Sequence, residues 1–123
     1  MSKILVIEDN IELSVLISDL LKSKGFAVVC CEDALQGIAF THSQKPDLVI
    51  LDLMLPAGGG LHVLETVKLS DRTKNIPIVV LTASKDEKHR AVATDHGVEA
   101  FLEKPYDPDI LIETIQKILD HNE

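Results

Sequence analysis

Short apolar runs alternate with amphipathic stretches from one end of the chain to the other. Lys3 to Glu8 (KILVIE) is apolar within and charged at both ends, the pattern of a buried strand. Ile11 to Lys24 reads as a helix, with Ile11, Val15, Leu16, Leu20 and Leu21 at helical spacing and Gly25 where a C-terminal cap belongs. Phe26 to Cys30 (FAVVC) gives the second strand. Asp33 is placed to cap a helix running to about Ser43, which Pro46-Asp47 terminates. Leu48 to Asp52 (LVILD) is apolar up to its last residue, as a central parallel strand covered on both faces should be. The loop Leu53 to Gly60 leads into a helix from Leu61 to about Leu69, where Leu61, Leu64, Val67 and Lys68 keep the helical spacing. Pro77 to Leu81 (PIVVL) is the fourth strand, followed by a polar, weakly patterned helix from Asp86 to His96 that Gly97 closes. Val98 to Leu102 forms the fifth strand. Asp107 to Asp120 is the last helix, with Leu111, Ile115 and Ile118 on one stripe and Ile112 and Leu119 beside it.

Strands and helices alternating with such short connections predict a parallel sheet, right-handed crossovers and helices on both faces, an α/β doubly wound fold. A single domain over residues 1–123 is expected, since no repeat, low-complexity tract or linker interrupts the pattern. No output domain is visible after the last helix.

Charge narrows the function classes. Lysine plus arginine total 12 against 20 aspartates and glutamates, a formal charge of −8. Such a chain is repelled by phosphate backbones and anionic lipid, which argues against direct nucleic-acid or membrane binding. No apolar run is long enough to span a bilayer, and the run Ile4 to Ile7 behind Met1-Ser2-Lys3 is too short for a signal peptide. A soluble cytoplasmic protein is the expectation. Cys30 and Cys31 are adjacent in a predicted strand, so their side chains face opposite ways and read as reduced packing residues. The closest helical histidine pair, His89 and His96, lies roughly 10 Å apart along a helix. That is too far to share a zinc ion, and surface histidines are expected.

In an open parallel sheet, ligands bind beyond the carboxyl ends of the strands. Four of the five predicted strands end in reactive side chains: Glu8-Asp9, Asp52, Thr82 and Lys104-Pro105. Singly, each is an ordinary turn or cap residue; together they bring three carboxylates, a hydroxyl and an ammonium to one small area. Clustered carboxylates repel, and a divalent cation resolves the repulsion. Mg²⁺ (or Mn²⁺) takes oxygen ligands, typically one or two carboxylates plus a phosphate oxygen. A carboxylate is also a competent nucleophile for an aspartyl phosphate. Phosphoryl transfer needs positioning and charge neutralisation, which Lys104 supplies, while the Thr82 hydroxyl can hydrogen-bond a phosphoryl oxygen. The competing reading is a solvated acidic rim with Lys104 as its counter-ion.

Glu8-Asp9, Asp52 with Pro56 four places on, Gly60 leading into a helix, Thr82-Ala83 and Lys104-Pro105 together resemble the receiver domain of two-component response regulators. The resemblance covers essentially the whole chain, in order. It implies a flavodoxin-like sheet of order 2-1-3-4-5 and a phosphorylation switch. Asp52 would accept a phosphoryl group from a phosphohistidine on a sensor histidine kinase or histidine phosphotransfer protein. Asp9, Asp52 and the backbone carbonyl of Met54 would ligate the metal, with Glu8 acting through water. The resemblance further implies a cis peptide between Lys104 and Pro105. It makes Thr82 and Phe101 the switch pair, Thr82 drawn toward the phosphoryl group and the Phe101 ring turning inward. Phosphorylation would then alter the surface of the fourth helix, fifth strand and fifth helix, presented to a protein target by a monomer or a phosphorylation-dependent dimer. Many relatives carry tyrosine where this chain has Phe101, which keeps the ring and loses the hydroxyl.

Met54 departs from the polar residue of some relatives. Its side chain cannot orient an attacking water, so slow loss of the phosphoryl group is expected. Gly58-Gly59-Gly60 is not a P-loop, because no Gly-Lys-Ser/Thr follows, and reads as a flexible loop beside the site with Gly60 at the helix start. Three other readings share parts of the pattern. A phosphatase of the haloacid-dehalogenase type also uses aspartate, threonine, lysine and Mg²⁺, but it carries a second aspartate where this chain has Met54. A flavin-binding domain is disfavoured by 3% aromatic content. A receiver-like domain without the chemistry is disfavoured by the complete residue set.

Overall fold

The computed structural model describes residues 1–121. Five strands, β1 (Lys3–Ile7), β2 (Ala27–Cys31), β3 (Leu48–Leu51), β4 (Ile78–Thr82) and β5 (Ala100–Glu103), form one parallel sheet of order β2-β1-β3-β4-β5. Between and after them lie α1 (Ile11–Ser23), α2 (Ala34–Ser43), α3 (Gly59–Leu69), α4 (Glu87–Asp95) and α5 (Pro108–His121), with a 3₁₀ turn over Pro56–Gly58. The order of the sheet is the one expected, and among the described residues no helix is long and apolar enough to cross a membrane.

Strand periodicity divides the interior in two. Ile4 and Val6 of β1, Leu48 and Ile50 of β3 and Val79 and Leu81 of β4 face α1 and α5, where Ile17, Leu21, Leu111 and Ile115 meet them. Leu5, Ile7, Val49, Leu51, Ile78 and Val80 face the other way, toward Val63, Leu64 and Val67 of α3 and Ala93 of α4. Both faces of the central strands are therefore dry, which is why their sequences lack polar alternation. Caps fix the helix starts: Asn10, Asp33 and Asp86 accept backbone N–H bonds from Leu13, Gln36 and Lys88.

Several boundaries differ from the sequence reading, each for a local reason. Phe26 belongs to the turn closing α1, its N–H bonded to the Leu21 carbonyl, so β2 starts one residue later. Val98 likewise bonds back to Ala93, and β5 begins at Ala100. β4 runs on to include Thr82. The largest correction is at α3, which starts at Gly59 rather than Leu61, so only Gly58 of the three glycines (φ +71°) stays outside the helix. Glycine is a poor helix former, which hid this start. Its reason is contact: a Cβ on Gly60 would lie 2.5 Å from the Asp52 carbonyl oxygen, with the Leu53 carbonyl equally in the way. The helix is thus pressed directly against the backbone that carries Asp52.

Gly60→Ala is accordingly expected to lower stability by about 1–3 kcal/mol, the usual cost of forcing atoms into a filled space. Urea unfolding at neutral pH measures it. An unchanged midpoint would mean that the loop after β3 yields freely.

Candidate functional site

All five strands are parallel, so their carboxyl ends share one edge of the sheet. Register then sets the neighbours. Ile7 pairs with Leu51 on one side and Cys31 on the other, so the next residues, Glu8 and Asp52, emerge side by side. Their backbones continue the ladder: the Glu8 N–H donates to the Cys31 carbonyl at 3.0 Å and the Asp52 N–H to the Ile7 carbonyl at 3.1 Å. Thr82 pairs with Glu103, and the Lys104 N–H donates to the Thr82 carbonyl at 2.9 Å.

Glu8 and Asp52 are buried, with 3% and 5% of their surface exposed, while Asp9 is open to solvent. Oxygen atoms of the three carboxylates lie within 4.8 Å of one another. The Lys104 ammonium sits between the two buried ones, 2.5 Å from Glu8 Oε1 and 3.1 Å from Asp52 Oδ2. Each outer oxygen takes a backbone N–H: Asn10 donates to Glu8 Oε2 at 3.1 Å, and Met54 donates to Asp52 Oδ1 at 2.9 Å. Asp52 is thus held by one partner per oxygen. A carboxylate has further lone pairs free for a metal or an electrophile.

One ammonium does not balance three carboxylates. Burial pushes the Glu8 carboxyl above its ordinary 4.5, and the nearby Asp52 charge adds to the rise against the hydrogen bonds from Lys104 and Asn10. Burial alone would lower Lys104, but its bonds to Glu8 and Asp52 and their negative charges outweigh it, so the ammonium is held above its usual 10.5. Lys104 therefore stays charged, and the surplus negative charge remains. Clustered oxygen donors with uncompensated charge suit a hard divalent cation.

The other predicted residues are placed as follows. Thr82 is wholly buried at the end of β4, and its Oγ1 accepts the Ser84 N–H at 3.3 Å. Phe101 is half-buried on β5 within the group that includes Ala93 and Val98. Met54 is 50% exposed. The Lys104–Pro105 peptide is cis. Two expectations need correcting. Cys30 is exposed rather than packed; Cys31 is buried, and burial first, then the charges of Asp33 and Cys30, pushes its thiol up to about 12. His89 and His96 are not plain surface side chains: both are half-buried, and His96 Nδ1 lies 2.8 Å from the Val92 carbonyl.

Sequence reasoning missed Ser84, His89 and Arg90. Ser84 Oγ and His89 Nδ1 share a 2.5 Å hydrogen bond, and the Arg90 guanidinium lies 5.1 Å from the centre of the Phe101 ring. Position offered the one available signal. Ser84 follows Thr82 by two, and His89 falls on the first turn of α4, facing back toward the loop.

Residues 4–116 match the family profile of the response regulator receiver domain. The chain is 32% identical to the phosphate regulon transcriptional regulatory protein PhoB of Escherichia coli, over 95% of its own length and 51% of PhoB. It is 34% identical to hybrid signal transduction histidine kinase D of Dictyostelium discoideum, over 94% of its length and 7% of the kinase. The chain thus spans about half the length of the regulator and a small part of the kinase. Among solved structures, the receiver domain of a Pseudomonas aeruginosa sensor histidine kinase superposes with a TM-score of 0.88 at 25% identity, covering 97% of this chain and 98% of that one. That structure has a magnesium ion coordinated in its active-site cleft.

Mg²⁺ is expected to stabilise the protein, by about 2.7 kcal/mol at a hundredfold excess over its Kd, with Asp9→Asn largely abolishing the effect. Thermal unfolding across a Mg²⁺ titration tests this. Without metal, the raised Glu8 pKa means that the folded chain holds this proton more tightly than the unfolded chain does. Stability from this group is full below pH 4.5 and falls as pH rises past it. Glu8→Gln is expected to flatten that fall in urea titrations run with chelator; an unaltered pH profile would show that Glu8 is not its source.

Proposed function

The chain belongs to the response regulator receiver domain family, whose members are phosphorylation-activated switches of two-component systems, and we propose that Asp52 carries the phosphoryl group here. The observation that carries this reading is the setting of Asp52: a buried carboxylate, oriented through both oxygens, beside two further carboxylates and a charged lysine. The donor is a phosphohistidine on a sensor histidine kinase or a histidine phosphotransfer protein. An Asp52 oxygen attacks phosphorus, the phosphorus–nitrogen bond breaks, and the departing imidazole nitrogen keeps the electron pair.

The residues divide the work. Asp9, Asp52 and the Met54 carbonyl would hold Mg²⁺ or Mn²⁺, with Glu8 acting through water. When bound, the cation supplies positive charge against the phosphoryl oxygens. Lys104, already on Asp52 Oδ2, transfers its hydrogen bond to a phosphoryl oxygen and keeps Glu8 as its second partner. Thr82 turns its hydroxyl toward the same group, and Phe101 moves inward behind it. The protein acts on no separate substrate; it promotes the gain and loss of its own phosphoryl group. Its output is an altered α4-β5-α5 surface read by a protein target in the cytoplasm, as a monomer or a phosphorylation-dependent dimer. The charge of −8 argues against direct binding to nucleic acid or membrane by this domain.

Intact-protein mass after incubation with a small acyl phosphate and Mg²⁺ is the decisive measurement. A gain of one phosphoryl group is expected, absent in Asp52→Asn and when the metal is chelated. No gain from any donor would leave a receiver fold without the chemistry, and turnover of a separate phosphoester would favour a phosphatase. The Met54 thioether cannot hold a water in line with phosphorus, so the phosphoprotein is expected to last minutes or longer. Met54→Asn should shorten that lifetime, whereas loss within seconds from the natural sequence would contradict the role given to Met54.

A further inference from the structure

α4 is the helix least anchored by the core. Ala93 is its one buried residue, whereas α3 buries five. Toward the loop after β3 it borders a cleft of about 240 Å³, lined in part by Met54, Leu61, His89 and Val92. Two side-chain contacts to other elements come from consecutive residues of its first turns. His89 Nδ1 is hydrogen-bonded to Ser84 Oγ, and the Arg90 guanidinium lies over the Phe101 ring. Neighbouring helix residues point about 100° apart, so one side chain reaches the loop after β4 while the other reaches β5.

Ser84 makes the first contact consequential. Its N–H donates to Thr82 Oγ1, and its own Oγ accepts the Asp86 N–H at 3.3 Å while meeting His89. The Thr82 hydroxyl, the loop and the first turn of α4 are therefore one hydrogen-bonded chain. A Thr82 that swings toward a phosphoryl group withdraws its oxygen from Ser84. A Phe101 ring that turns inward leaves the Arg90 cation without its aromatic face. Both movements act on adjacent residues of the same weakly packed helix.

We infer that His89 and Arg90 are positioning residues that lock α4 in the unphosphorylated arrangement, His89 through Ser84 to Thr82 and Arg90 through Phe101, and that phosphorylation frees α4 by breaking both contacts. The release step rests on the proposed function, with Asp52 as phosphoryl carrier and Thr82 and Phe101 as the switch pair; the lock itself does not.

Hydrogen exchange of the full chain, read by mass spectrometry with and without phosphodonor, separates the two. In the unmodified protein, phosphorylation is expected to speed exchange of the α4 amides. His89→Ala and Arg90→Ala are each expected to speed α4 exchange roughly three- to tenfold before phosphorylation, as loss of one such contact implies, and to shrink the further increase on phosphorylation. His89→Asn, which keeps a polar atom near the Nδ1 position, and Arg90→Lys, which keeps the cation, should restore part of the slow exchange. A merely structural role would not give that pattern. Amides of β1 and β3 report global integrity; if an alanine variant loosens them too, the Asn and Lys variants decide. Unchanged α4 exchange in all four variants, or an undiminished increase on phosphorylation, would overturn the proposal. If the natural chain gains no phosphoryl mass, the Asp52 reading fails, and the unphosphorylated comparison still judges the lock.

Discussion

The Lys104 ammonium between Glu8 and Asp52 is the interaction on which the rest of the site depends. Two buried carboxylates brought together by strand register would repel, and a buried charge without a partner is costly. One ammonium touching both makes the arrangement tolerable in the resting protein and leaves net negative charge for a cation. The same contact places a positive charge on the Asp52 oxygen opposite the one fixed by the Met54 N–H.

The fold supplies the coordinates for this contact. Parallel pairing through β2-β1-β3-β4-β5 sends each strand's last residue to one edge, and the two half-cores fix the sheet from both sides. Backbone bonds extend past the strand ends, from Glu8 to Cys31, Asp52 to Ile7 and Lys104 to Thr82, so these residues are continuations of the ladder rather than loop residues. Gly60 completes the frame by letting α3 lie directly on the Asp52 and Leu53 carbonyls.

Most of this was legible in the residues because the pattern is redundant. LVIL before Asp52 and IVVL before Thr82 announce strands buried on two faces, and parallel strands can end in only one place. The grouping of Glu8, Asp9, Asp52 and Lys104 follows from that. What stayed hidden depends on three-dimensional approach. Gly59 and Gly60 look like loop by propensity yet are helical, Gly60 lying against the Asp52 and Leu53 carbonyls where a Cβ would not fit and Gly59 against the Ala34 side chain. Ser84, His89 and Arg90 look like a polar helix and its approach; Ser84 and His89 meet only once the loop after β4 folds against α4, and Arg90 finds Phe101 only once β5 lies alongside. That Lys104 binds Glu8 as well as Asp52 could not be read from spacing either.

The light anchoring of α4 has a consequence for divergence. α4 gives Ala93 to the core and little else, so most substitutions on its outer surface disturb neither the sheet nor the carboxylate cluster. Under the proposed function, partner preference can therefore drift along this helix while the phosphoryl chemistry stays fixed at the strand ends. Descendants of one such domain can answer to different targets without first solving the folding problem again.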